Sequence, residues 1–135
     1  MQKAISILAI NVILILCISI GAKAGAFSYT CQVKEMYSLS DKGTLQESKV
    51  SAVNKNRRFS VSRDTGEIIG PVMETYNAYS TEVISKGSRE NSFIAVANFK
   101  TTYQFIKVEE YKKSGLKPFV AFSASFGDIV TGLCE

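Results

Sequence analysis

The 135-residue chain contains no histidine and no tryptophan. Without histidine there can be no Ser-His-Asp or Cys-His nucleophile arrangement and no histidine-bearing zinc site. Cysteines number only three, and no two form a Cys-x-x-Cys pair. The sequence holds no Gly-rich phosphate loop and no nucleophile elbow, so the familiar catalytic motifs are missing. Charge of either sign is modest, with 16 Lys and Arg against 12 Asp and Glu and a formal net charge of +4. What is present is apolar: 46% hydrophobic and 10% aromatic residues sustain a packed core and argue against wholesale disorder. The length suits one domain.

The first two dozen residues read as a targeting segment. Lys3 supplies a positive start, and residues 4–20 are apolar except for Ser6, Asn11 and Ser19. Ala22-Lys23-Ala24 then places small residues where a signal peptidase reads them. The expectation is a secretory signal peptide over 1–24 and a single β domain over 25–135. Cleavage is expected after Ala24; Ala24-Gly25-Ala26 makes Ala26 the alternative. The apolar run also reaches the lower limit for a spanning helix, so a retained anchor is a competing reading. A lipid-anchored Cys17 is a third, opposed by the large Leu16 before it and the apolar residues after it.

Removing 1–24 takes Lys3 and Lys23 from the 16 basic residues, leaving 14 against 12 acidic ones and a formal +2. The overall charge then no longer points to nucleic acid, and the leader is the only expected membrane contact. Cys17 also leaves, so Cys31 and Cys134 remain near the two ends of the domain. In an exported chain two cysteines are expected to pair, here stapling the terminal strands; two buried free thiols are the alternative. Closing a loop of that size contributes about 4–5 kcal/mol in the chain-entropy model.

After residue 26 the chain repeats short runs of Val, Ile, Phe, Tyr and Thr separated by turn residues. Strands are predicted near 27–36, 45–53, 57–63, 67–73, 76–85, 92–100, 102–112, 117–126 and 128–134. Arg63-Asp64-Thr65-Gly66 has the chemistry of a tight hairpin, with Gly66 suited to the left-handed position. Asp41-Lys42-Gly43, residues 85–91, Lys113-Ser114-Gly115-Leu116 and Gly127-Asp128 mark further reversals. Phe59 and Val61 alternate with Arg58, Ser60 and Ser62, Ile106 and Val108 with Lys107 and Glu109, and Val120, Phe122, Ala124 and Phe126 with Phe119, Ala121, Ser123 and Ser125, so each strand buries one face. Residues 93–97 are apolar on both faces, as in a central strand or one covered outside. The fold class is all-β: an antiparallel β-barrel or barrel-like sandwich of about eight strands. A Cys31–Cys134 bridge favours a barrel closed between the first and last strands.

Each candidate site has a plainer structural explanation beside it. Asp64 and Glu67 flank a turn and could serve a carboxylate-dependent hydrolase, or simply shape the hairpin. Glu109 and Glu110, as strand neighbours, face opposite sides. No segment concentrates enough acidic ligands for calcium, and no cofactor or metal is expected. Lys55, Arg57 and Arg58, with Arg63 nearby, form the densest basic cluster. It suits an anionic glycan or lipid surface or an acidic protein, or else a solvated edge that resists strand pairing. Tyr76, Tyr79, Tyr103 and Tyr111 lie in predicted strands among polar residues, where tyrosines serve either as binding-surface rings or as ordinary strand formers. Tyr79 and Tyr103 are taken as candidate binding residues.

Residues 27–31, Phe59-Ser60-Val61-Ser62-Arg63-Asp64-Thr65-Gly66 and Thr131-Gly132-Leu133-Cys134-Glu135 give the chain the look of small exported proteins of Gram-negative bacteria. Tyr29-Thr30-Cys31 and Ser85-Lys86-Gly87 also resemble the periplasmic inhibitors of C-type lysozyme, small barrels with a terminal disulfide. That resemblance implies that Lys86 is the lysine presented to the lysozyme cleft. The chain departs from the family at Thr81, where the lysine motif has tyrosine, and lacks the companion Ser-Gly-x-x-Tyr motif. The function expected is an exported, non-enzymatic binding or accessory protein of the bacterial cell envelope, periplasmic or secreted. The alternatives are a lysozyme-inhibitor-like protein and a carboxylate-dependent hydrolase.

Overall fold

Alternating apolar and polar residues build nine strands in the computed structural model, which describes residues 27–135. The leader expected over 1–24 and its cleavage sites lie outside the described residues. In chain order the elements are β1 Ser28–Leu39, β2 Leu45–Glu47, α1 Ser51–Asn54, β3 Arg58–Ser62, β4 Ile68–Ile69, β5 Ser80–Lys86, β6 Phe93–Asn98, β7 Tyr103–Val108, β8 Lys117–Ser123 and β9 Asp128–Cys134. All pairings are antiparallel. The sheet runs β4-β3-β1-β9-β8-β7-β6-β5, with β2 added to the far end of β1. The expected all-β class is observed, in the form of a half-barrel.

β1 and β9 are neighbours, and Cys31 stands opposite Cys134 in their register. The two form the expected disulfide, with 3.9 Å between their Cα atoms. First and last strands therefore meet, but the seam lies elsewhere. β4 and β5 are the two edges of the sheet and do not pair. The turn after β3 closes part of this gap by packing. Gly66 has φ +75 and approaches so closely that a Cβ there would lie 3.0 Å from the Ala95 Cβ and 3.3 Å from the Glu82 carbonyl oxygen.

Inward residues of opposite walls fill the interior. Tyr29 meets Phe93 edge-on at 5.1 Å between ring centroids, and Phe59 meets Phe119 at 5.5 Å. Val33, Met36, Val61, Ile106, Val108, Ala121 and Val130 are fully buried around them. The alternation in β3 and β7 sorts as expected, and in β8, where both sets carry apolar residues, Phe119, Ala121 and Ser123 are the ones that face the core. β6 is next to the β5 edge, and Ile94 and Val96 on its outer face are half-buried.

Two predicted strands fare differently. Only Leu45–Glu47 of 45–53 is extended, and Ser51–Asn54 is a helical turn. Ser48, Ser51 and Asn54, spaced by three, are all buried. The Ser48 hydroxyl donates to the Asp128 carboxylate, Ser51 Oγ accepts the Met36 N–H at 3.3 Å, and Asn54 Nδ2 donates to the Val50 carbonyl at 2.9 Å. Polar side chains that bond backbone in this way compete with strand formation. Of 67–73, only Ile68–Ile69 is a strand, because Gly70 and Pro71 turn the chain across the barrel mouth.

Gly132 is where β1, β8 and β9 come closest. A Cβ at this position would lie 2.0 Å from the Gln32 carbonyl oxygen and 2.7 Å from Phe119 Cε1. Neither backbone nor a core ring can yield cheaply in a close-packed interior. Gly132→Ala is expected to destabilise the domain by at least about 3 kcal/mol, measured by urea unfolding under non-reducing conditions. A loss below about 1 kcal/mol would show that this contact is soft.

Candidate functional site

The two ends of the half-barrel are built from different chemistry. At the disulfide end, the turn after β3, the β5–β6 turn and the β7–β8 loop converge. Tyr29, 3% exposed, donates its hydroxyl to Glu110 Oε2 at 2.5 Å. Arg63 lies 4.8 Å from the Tyr29 ring centroid and 3.7 Å from Glu110 Oε1. Burial pushes the Tyr29 phenol well above its usual range, the hydrogen bond to Glu110 adds to this, and the Arg63 charge opposes it. Composition and spacing pointed to none of this triad as a unit. Arg63 was grouped with the basic cluster, and Glu110 with its neighbour Glu109.

At the other end, residues 70–79 form a strap across the mouth. Val72 and Met73 plug the interior. Two buried side chains hold the strap by its backbone, and a third, from the strap itself, holds the backbone of β4. Gln104 Nε2 donates to the Met73 carbonyl at 2.6 Å, and Ser123 Oγ donates to the Val72 carbonyl at 2.7 Å. Thr75 Oγ1 accepts the Ile68 N–H at 2.8 Å and donates to the Ile68 carbonyl at 3.2 Å. Val72 sits at φ +80. For a β-branched residue that conformation is strained, at a cost of order 1–3 kcal/mol that the surrounding contacts must offset.

The strap, the 99–102 turn and the 124–127 turn enclose a groove of about 430 Å³. Tyr76 and Phe99 contribute rings to it, Asn77, Thr101, Thr102 and Ser125 contribute hydrogen-bonding groups, and Glu74 and Lys100 contribute opposite charges. Tyr79, Tyr103 and Phe126 lie at the same end of the half-barrel but outside the groove's lining, Tyr103 on the outer face of β7. Tyr76 is 85% exposed, Tyr79 74%, Tyr103 56% and Phe126 43%. Tyr79 N–H bonds the Asn98 carbonyl at 2.8 Å, and Asn98 pairs with Tyr103, so the two tyrosines chosen from sequence lie on adjoining strand ends. The Tyr103 ring rests 5.9 Å from Phe122.

The remaining candidates are dispersed. Lys86 is the exposed last residue of β5, opposite Phe93 and beside the Gly87 turn, at the disulfide end. Lys55 and Arg57 are exposed beside β1. Arg58 is bonded to the Glu135 carboxylate, and both side chains are well exposed. Asp64 and Glu67 are exposed on their turn. Among the described residues no group of three or more Cys, Asp and Glu is placed to hold a metal ion. Tyr111 lies in the β7–β8 loop with Lys112 over its ring at 5.5 Å. The rim residues that sequence reasoning passed over are Phe99, Phe126 and Asn77, which are brought together only by the three turns.

Comparison with known proteins finds no matching family model, no matching curated protein and no matching solved structure.

The buried phenol has a consequence at high pH. Native Tyr29 stays protonated while the unfolded chain ionises near pH 10. Its contribution to stability is therefore complete below about pH 10 and declines above it, by up to about 1.4 kcal/mol per pH unit. Urea unfolding between pH 9 and 11.5 is expected to show a slope one proton shallower for Tyr29→Phe than for the wild type. Parallel slopes would mean that Tyr29 ionises freely in the native state.

Proposed function

We propose that this chain is an exported, non-enzymatic binding protein of the bacterial cell envelope, periplasmic or secreted, and that its contact surface is the strap-end rim. The observation that carries this reading is that four exposed aromatics, Tyr76, Tyr79, Tyr103 and Phe126, lie at the strap end of a filled interior, with Tyr76 lining the groove there. Aromatic rings with a polar tip provide contact area at little entropic cost. The disulfide fits an oxidising compartment such as the periplasm. Capture from envelope extract with the exported protein tests the reading. A retained partner is expected to lose about 30-fold in affinity with Tyr79→Ser/Tyr103→Ser, about 2 kcal/mol, while circular dichroism stays unchanged. Recovery of no partner, together with turnover of a glycan or ester, would reverse it.

A second reading, lysozyme inhibition, draws on the exposure of Lys86 at the end of an edge strand. An ammonium entering a cleft with two carboxylates makes a charge-assisted contact. Its loss costs about 2–5 kcal/mol, tens- to thousands-fold in affinity. The expected outcome is inhibition of C-type lysozyme at micromolar concentration, abolished by Lys86→Ala with a nearly unchanged melting temperature. No inhibition by the wild type ends this reading; inhibition that survives Lys86→Ala removes Lys86 from it and turns attention to Lys55, Arg57 and Arg58.

A further inference from the structure

We propose that the strap-end groove is a glycan subsite, taking a neutral or zwitterionic oligosaccharide. This rests on the strap-end rim being the contact surface and names the chemistry that it recognises. The argument starts from the lining. A sugar ring offers an apolar face of C–H groups and an edge of hydroxyls. Tyr76 and Phe99 present rings for the face; Asn77, Thr101, Thr102 and Ser125 present donors and acceptors for the edge. The lining is mostly polar, with two aromatic residues among six hydrogen-bonding or charged ones, which suits a hydroxyl-rich ligand, and about 430 Å³ lies within the usual range of roughly 300–1,000 Å³.

The charges discriminate between ligand classes. Lys100 is the groove's one cation and Glu74 its one anion, so the lining has no net charge. A polyphosphate or nucleic-acid strand needs an excess of positive charge along its track. An acyl chain needs an apolar floor, whereas this lining mixes hydroxyls, an amide and two charges. A neutral or zwitterionic saccharide meets neither obstacle.

A second and independent observation concerns the platform. Tyr76 is the most exposed large side chain on the rim, yet the residue before it is 4% exposed and bonded twice to Ile68. Gln104, 1% exposed, spends its amide entirely on the strap end: Nε2 donates to Met73 and Oε1 accepts the Ala124 N–H at 3.2 Å. That pair of bonds ties the strap to the 124–127 turn on the groove's opposite lip. The strained Val72 is part of the same strap, and held strain is characteristic of ligand clamps. A ring fixed in this way before binding loses little freedom on contact.

The test uses the exported protein, with tyrosine fluorescence as readout because the chain has no tryptophan. Titration with chitotetraose is expected to change the emission, and purified peptidoglycan sacculi are expected to retain the protein. Tyr76→Ala and Asn77→Ala should each weaken retention at least tenfold without altering the unfolding midpoint, and Lys86→Ala should leave it unchanged. Retention that survives Tyr76→Ala, or binding only to phosphatidylglycerol vesicles, overturns the proposal. Absence of glycan binding also overturns it. If a protein partner sensitive to Tyr79→Ser/Tyr103→Ser is still captured, the rim remains a binding surface for protein. If neither glycan nor protein binds, the reading of the rim falls as well.

Discussion

Every wall of the half-barrel hangs on β1. It pairs with β9 along one edge and with β3 and β2 along the other, while β9 carries the hairpins β5 to β8. The first and last strands of the described residues therefore join the two halves of the sheet around one core. This is a long-range closure with an entropic cost paid ahead of most of its contacts. The disulfide, across a sequence separation of 103, lowers that cost by shortening the loop available to the unfolded chain. Gly132 lets the strands approach while Phe119 closes over them. Without this junction Tyr29 and Phe93, or Phe59 and Phe119, would not face each other across the interior.

With first and last strands joined, the opening is displaced to β4 and β5. The two ends meet that problem in opposite ways. At the disulfide end the turn after β3 and the β7–β8 loop are tied to β1 by Arg63, Glu110 and Tyr29, with the aromatic ring itself part of the core. A lock of partly buried, mutually satisfied polar groups leaves few of them free to recognise a ligand. At the strap end the buried polar groups point at backbone carbonyls of a crossing segment. The strap's own side chains are thereby released outward. Exposed aromatics accordingly cluster there.

Much of this frame could be read from sequence, for identifiable reasons. Period-two alternation in Phe59–Val61 and Ile106–Val108 is a local signal that picks the buried face; in Phe119–Ser123 it gives the alternation but not the face, because both sets carry apolar residues. Gly66, Gly43, Gly87 and Gly127 all adopt positive φ at turns marked by glycine with small polar neighbours. The cysteine pairing followed from there being only two cysteines after the leader. Other features depended on contacts between distant residues. Ser48, Ser51 and Asn54 sit in a stretch with strand composition, and their partners Asp128 and Met36 lie far away in sequence. Ile68–Ile69 continues into residues of strand type, yet Pro71 and Val72 turn away because a core opening awaits them. Tyr79 and Tyr103 were recognisable as exposed rings; that Phe99, Asn77 and Phe126 would join them depends on three turns meeting.

The strap bears most directly on function. A short β4–β5 hairpin would have extended the ladder and narrowed the seam. The chain instead spends residues 70–79 crossing the mouth, forgoing ladder hydrogen bonds and placing Val72 at φ +80. Plugging the mouth explains Val72 and Met73, and anchoring explains Thr75; all three are buried. It does not explain Tyr76 or Tyr79, whose rings are among the most exposed large side chains of the described residues and support no core contact by their position. A polar residue at either place would serve a plug equally well and avoid exposing apolar surface to water. The strap's buried half accounts for its stability, and its exposed half is what the proposed contact surface would put to use.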